Sequence, residues 1–306
     1  MTTPVAAPPH QRDRILAGGF ELHADVWSGG DAAQVLLLHG LGGNSVTWHG
    51  VAPVLAERLR ARVIALDLPG FGASHPAGKP IGFQVLSDVV VDVLRGGVRG
   101  LAWHIAGNSL GGLLALRAAI EAPERVSRVT LASLSLPLSW GRSAAQLPAI
   151  GAYVPAAVPW LGRRLIARYI LNTGVPGVVD DPIRFLFRDP ARLDPELRER
   201  LLAVSSYRLT WVPEAARALE QTTRSLGLAL LRPDCAARWI RDVTCPVRAI
   251  HGSRDPIYPL SAWQRLARER RDWEHVCLDD IGHVPQLEAP LAFAGHMLKE
   301  PDPIAG

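Results

Sequence analysis

The sequence predicts an α/β protein: a mostly parallel central sheet covered by helices, with a helical segment inserted late in the sheet. Three observations predict it. Short apolar runs alternate with stretches of helical spacing from residue 35 to residue 137, the rhythm of parallel α/β folds. These runs are bare of charge, as strands covered on both faces are. The rhythm stops over 138–230, a Pro-punctuated stretch of helical pattern without a good strand, and resumes over 245–300.

The elements follow in order. "VLLLHG" (35–40) is a buried strand ending in glycines, and "TWHGVAPVLAERLRA" (47–61) has helical spacing. "RVIALDLPGFG" (62–72) is a strand that runs into a Pro/Gly turn, and "FQVLSDVVVDVLRGG" (83–97) is a helix. "LAWHIAG" (101–107), "SLGGLLALRAAIEAP" (109–123) and "VSRVTLASLSLP" (126–137) give strand, helix and strand. Past the interruption, "CPVRAIHGSRDP" (245–256) is strand and turn, "SAWQRLARERR" (261–271) helix, "EHVCLDDIGH" (274–283) strand and turn, and "LEAPLAFAGHMLKE" (287–300) a closing helix. The expected organisation is a disordered tail over 1–12, a sheet domain from 13–137 and 231–306, and an inserted helical domain over 138–230.

Bulk properties exclude several function classes. Hydrophobic content of 48% is ordinary for a soluble domain, and a chain of 306 residues buries a core without disulfides or metal. Cys235, Cys245 and Cys277 form no CxxC pair, so neither a zinc site nor a disulfide framework is expected, and a reducing, cytoplasmic setting is. "MTTPVAAPPHQRDR" lacks the apolar core of a signal peptide, and no apolar run reaches the length of about 18 residues that a membrane span needs. Net charge is +4, and arginines alternate with acids along most of the chain, which reads as a solvated surface and not as a nucleic-acid tract.

Chemistry enters at "GNSLG" (107–111), which fits the G-x-S-x-G pattern between a strand and a helix. A serine at the tip of such a turn is held in a strained conformation, and side chains at Gly107 and Gly111 would collide. The helix that follows aims its N-terminal N–H groups at the tip. A serine hydroxyl is a weak nucleophile and needs a general base that is itself oriented by an acid. His283, on the turn after the last strand, is the candidate base, and Asp255, after the penultimate strand, the candidate acid. His251 and His104 read as core or strand residues and His39 as a loop brace. The N–H groups of Leu110, next to Ser109, and of Leu41, in the turn "HGLGG" (39–43), are the expected oxyanion donors.

Five motifs stand in one order: "HGLGG" (39–43), "DLPGFGAS" (67–74), "GNSLGG" (107–112), "GSRDPIYP" (252–259) and "DDIGHVPQLEAP" (279–290). By them the chain resembles the α/β-hydrolase-fold serine hydrolases over nearly its whole length. The resemblance implies Ser109 as nucleophile, His283 as base and Asp255 as orienting acid, with the insertion as a helical cap between strands six and seven. It implies no metal and no organic cofactor. The elbow "GNSLGG" is similar to that of carbon–carbon bond hydrolases acting on meta-cleavage products, but Val284 stands where those enzymes usually carry Trp. An esterase is therefore the first expectation, a carbon–carbon hydrolase the second, and a non-catalytic binding protein on the same fold the third.

The insertion holds Trp140, Tyr153, Trp160, Tyr169, Phe185, Phe187, Tyr207 and Trp211, so a hydrophobic small-molecule substrate is expected, with Asn44, Asn108, Trp140 and Val284 lining its pocket. "PWLGRRLIARYIL" (159–171) is amphipathic with arginines on one side. It is expected to dock on the sheet domain, contact with a membrane surface being the alternative.

Overall fold

The structure, a computed structural model, describes residues 10–98, 100–137, 140 and 155–299. Eight strands form one sheet in the order β1-β2-β4-β3-β5-β6-β7-β8, in which β1/β2 and β2/β4 are antiparallel and every other pair is parallel. β1 (His10–Ala17) and β2 (Phe20–Ser28) form a hairpin about Gly18 and Gly19, whose φ values of 56° and 74° need glycine. The tail expected over 1–12 is thereby corrected at its end: His10–Arg12 pair in register with Trp27–Asp25. Gln11 and Arg12 face solvent from an edge strand while His10 stacks on Trp27 and bonds Asp25, and it is the Pro- and Ala-rich stretch before them that makes the segment read as unstructured. The rest of that tail, 1–9, lies outside the described residues.

β3 (Ala33–Leu38), α1 (Ala52–Leu59), β4 (Ala61–Leu66), α2 (Phe83–Arg95), β5 (Trp103–Asn108), α3 (Leu110–Glu121) and β6 (Val126–Ala132) build the sheet's first half. The helix expected from residue 47 starts later. Asn44 Oδ1 accepts from the N–H of Val46 and caps a single 3₁₀ turn (Ser45–Trp48), and α1 begins only at Ala52, with proline in its first turn. Along β3 the side chains alternate between two buried faces. Leu36 and Leu38 join Ile64, Leu66 and Ile105 under α2 and α3, whereas Val35 and Leu37 join Val63 and Ala65 under α1 and the last helix. Burial on both faces is what keeps β3 and β5 free of charged residues.

Between β6 and β7 the described chain forms α4 (Leu161–Leu186), α5 (Pro195–Arg208), α6 (Val212–Leu231) and α7 (Pro233–Asp242). Gly174, at φ 63° and ψ −169°, breaks α4 into two arms. The sheet then closes with β7 (Val247–Gly252), α8 (Leu260–Glu269) and β8 (Glu274–Leu278), followed by the short α9 (Pro285–Glu288) and α10 (Pro290–Leu298). A seam of apolar side chains fastens the inserted helices to the sheet: Val179, Ile183, Phe187, Leu197 and Leu201 against Val46, Val284 and Leu287. No described helix is long and apolar enough to cross a membrane.

Candidate active site

β5 lies between β3 and β6, so the turn at its carboxyl end sits over the middle of the sheet. There Ser109 has φ 51° and ψ −109°, partly exposed between the buried Asn108 and Leu110. A Cβ on Gly107 would lie 2.2 Å from the carbonyl oxygen of Gly111, and one on Gly111 would lie 2.3 Å from that of Leu38. Both neighbours are backbone and cannot step aside, so the two glycines are what allow the strained serine. Its own N–H donates to Ala132 O at 2.9 Å, which locks the turn onto β6.

His283 and Asp255, 28 residues apart, meet as expected. His283 Nδ1 stands 2.7 Å from Asp255 Oδ2, while Asp255 Oδ1 accepts from the N–H groups of Ile257 and Tyr258 at 2.7 and 2.9 Å. Burial alone would push the Asp255 carboxyl up, but the adjacent His283 outweighs it and the pKa is lowered. The acid is thus an anion fixed at both oxygens. With Nδ1 taken, Nε2 is the ring nitrogen left for the serine proton. His251 lies 3.8 Å from the same carboxylate, stacked on Trp263, and burial lowers its pKa, so it is a neutral packing residue.

The turn after β3 abuts the elbow: a Cβ on Gly40 would lie 2.8 Å from Asn108 Oδ1 and 3.5 Å from Ser109 Cβ. His39 braces it, bonding Gly40 O through Nδ1 at 2.7 Å and accepting from the N–H of Leu68 through Nε2 at 3.1 Å. Burial lowers the His39 pKa and keeps that ring neutral. The N–H groups of Leu41 and Leu110 donate to no acceptor among the described residues. Two free donors on adjacent turns beside a nucleophile can hold a developing oxyanion.

The residues expected to line a pocket each have a contact within the protein. Asn44 is the cap described above, Val284 lies in the apolar seam, and Trp140 packs on the sheet's core beneath Arg265. Asn108 is a bridge: its Nδ2 donates to Ala132 O and to His283 O, each at 3.1 Å, tying the elbow to the loop that carries the base. Among the described aromatics of the insertion only Phe187 and Trp211 are buried; Trp160, Tyr169, Phe185 and Tyr207 face solvent. Tyr153 lies outside the described residues.

Sequence reasoning missed three participants. Ser135 Oγ lies 3.0 Å from Ser109 Oγ. Glu288, buried, accepts from the N–H of Gly282 at 2.7 Å and from those of Arg188 and Asp189 at 3.1 and 3.0 Å. The N–H of His283 donates to Leu186 O at 2.8 Å, so the loop of the base and the end of α4 are bonded together. Arg208, on α5, lies between the rings of Phe71 and Trp211 and close enough to His39 to depress its protonation. Its Nε is buried with no partner, and burial lowers its pKa to about 10.

One described group has the composition of a metal site: ligand atoms of His10, Asp25 and His49 lie within 4.8 Å of one another. Its bonds describe a proton network instead. Arg200 donates to His49 Nδ1 at 2.9 Å, so Nε2 carries the ring proton and gives it to Asp25 Oδ2 at 2.8 Å. Ser45 Oγ donates to the same oxygen at 2.7 Å. The group anchors β1 and β2 to the turn after β3.

The family model described as alpha/beta hydrolase fold matches residues 34–290. A 2-hydroxymuconate semialdehyde hydrolase of Pseudomonas sp. (strain CF600) is 30% identical over 100% of this chain and 99% of its own. A pimeloyl-[acyl-carrier protein] methyl ester esterase of Aromatoleum aromaticum is 31% identical over 84% and 93%. The dihydrolipoyllysine-residue acetyltransferase component of an acetoin cleaving system from Pseudomonas putida is 33% identical over 89% of this chain, which spans 64% of that protein's length.

Proposed function

The chain belongs to the alpha/beta hydrolase fold family of enzymes, and on that premise we propose that it is a serine hydrolase cleaving a carboxylic ester of a hydrophobic substrate through an acyl-enzyme on Ser109. The observation that carries this reading is the strained Ser109 set beside two free N–H groups, with His283 fixed to the anionic Asp255. Ser109 Oγ attacks the carbonyl carbon while His283 Nε2 takes its proton. Asp255 holds the ring and stabilises the imidazolium. The N–H groups of Leu41 and Leu110 receive the oxyanion, a contribution of about 10²–10³ in rate for each donor. His283 then returns its proton to the leaving alcohol, and water releases the acid. The inserted helices act as a cap over this centre. The esterase relative from Aromatoleum supports the same chemistry.

A second reading is carbon–carbon hydrolysis of a dienoate bearing a carboxylate, and one observation favours it. The half-buried guanidinium of Arg208 has an enclosed Nε without a hydrogen-bond partner and makes no salt bridge among the described residues, Asp67 being the carboxylate whose charge offsets it, so an anion bound beside it is favoured. The semialdehyde hydrolase relative, matched over its full length, points the same way. Incubation with p-nitrophenyl esters and with a fluorophosphonate probe tests the first reading. Turnover and labelling by wild type, both lost in Ser109→Ala, are expected. Wild type that neither turns over nor labels, or Ser109→Ala that behaves like it, ends the reading. Turnover of a ring-cleavage dienoate with esters left intact selects the second.

A further inference from the structure

The hydroxyl of Ser109 has one hydrogen-bond partner among the described residues, and it is the hydroxyl of Ser135, 3.0 Å away. Ser135 stands three residues past β6, the strand paired with β5, so the two side chains meet where neighbouring strands end. It is buried, 1% exposed. The chain is turned there by Ser133, whose φ of 44° lies in the left-handed region and whose N–H donates to Ile250 O on β7 at 2.8 Å. Leu134 then packs over Gly112, where an added Cβ would stand 3.0 Å from Leu134 Cδ1. A strained residue and a packed leucine therefore set where Ser135 points, and no other polar partner among the described residues competes for it.

A hydroxyl has one proton and two lone pairs. Once Ser109 commits its proton to His283, its contact with Ser135 survives only with Ser135 as donor and Ser109 Oγ as acceptor. We propose that Ser135 is a positioning residue for the nucleophile: its O–H donates to Ser109 Oγ, fixes the attacking rotamer, and stabilises the negative charge that gathers on Oγ. The proposal rests on the serine-hydrolase reading above. In the step concerned the Oγ–carbon bond forms and the carbonyl π pair moves to the substrate oxygen. The Ser109 proton passes to His283, and Ser135 keeps its own. A hydrogen bond to a forming alkoxide is charge-assisted and stronger than one between neutral hydroxyls, and this one is in place before reaction.

The test compares wild type with Ser135→Ala, Ser135→Thr and Ser127→Ala, reading ester turnover and the rate of fluorophosphonate labelling. Ser135→Ala is expected to lower kcat and labelling roughly 3- to 30-fold with KM unchanged. Ser135→Thr, which keeps the hydroxyl, restores both. Ser127→Ala deletes the same atom at the far end of β6, from a hydroxyl that bonds Trp103 O, and matches wild type. Labelling of Ser135→Ala at the wild-type rate overturns the proposal, as does failure of Ser135→Thr to recover what alanine loses. Wild type that does not label at all removes the serine-hydrolase reading itself, and this proposal with it.

Discussion

Asn108→Ala separates two roles that one side chain next to a nucleophile can have. The side chain is 4% exposed, and its Nδ2 spans from Ala132 O on β6 to His283 O, 175 residues along the chain. Alanine removes both bonds. At about 0.5–1.5 kcal/mol each, with a small cavity besides, the loss is about 2 kcal/mol. For a chain of this size that lowers the melting midpoint by roughly 3 °C. The Ala132 carbonyl keeps the N–H of Ser109, but the bridge to the loop of the base is gone. Since misplacement of a catalytic group by an ångström costs on the order of 10²-fold, kcat is expected to fall roughly 10- to 100-fold with KM little changed. Calorimetry and steady-state ester kinetics on the same preparation read both. A variant with the wild-type melting midpoint and kcat but a raised KM would falsify the bridge and return Asn108 to the substrate.

Two further predictions concern charge. His104 is buried against Thr130 and its pKa is lowered from 6.5 to about 3, chiefly by burial. The unfolded chain therefore binds a proton that the folded chain refuses, so stability is full above pH 6.5 and is lost as pH falls from there toward 3. The slope approaches about 1.4 kcal/mol per pH unit, and His104→Gln, which keeps a bond to Thr130 but cannot titrate, is expected to flatten it in urea titrations across that window. An unaltered slope would assign it to other groups. Arg208→Leu removes a half-buried cation that makes no salt bridge among the described residues, so its melting midpoint should stay near that of wild type. KM for a carboxylate-bearing substrate should rise about 10- to 100-fold, far more than for a neutral ester. Equal effects on both substrates would show that Arg208 does not read charge.

Much of the fold is legible because burial on both faces writes itself into β3 and β5 as charge-free runs and into β4, β6 and β7 as apolar runs broken by a single arginine, and because glycines mark the turns. β1 and β2 are not read as strands, and the first three residues of β1 read as tail: β1 is an edge strand rich in arginine with a histidine and an acid, and β2, buried over most of its length, interleaves Glu21, His23 and Asp25 with its apolar residues. In the site, Ser109, Asp255 and His283 are legible because each stands at a strand's carboxyl end in a turn of distinctive composition. Asn108 is visible as a residue but not as a bridge, since its partner is a backbone carbonyl that no pattern encodes. Ser135 and Arg208 carry no local signature at all. A serine in an apolar strand end and an arginine on a helix become informative only when tertiary packing shows one against the nucleophile and the other wedged between two rings with its Nε unpartnered.

The bonds from Glu288 to Gly282, Arg188 and Asp189 bear on how such enzymes can be rebuilt. They join the end of the inserted helices to the loop of the base as firmly as neighbouring strands are joined. A chimaera that exchanges the whole insertion with that of a relative would cut through these bonds, leaving a buried carboxylate to find new donors. The workable graft carries residues 186–189 and 282–288 together from one parent and makes its joints elsewhere. Gly174, where α4 already breaks, is a natural place for one of them. The unit of exchange in this protein is thus a helix end and a catalytic loop, and not the inserted domain as the chain order draws it.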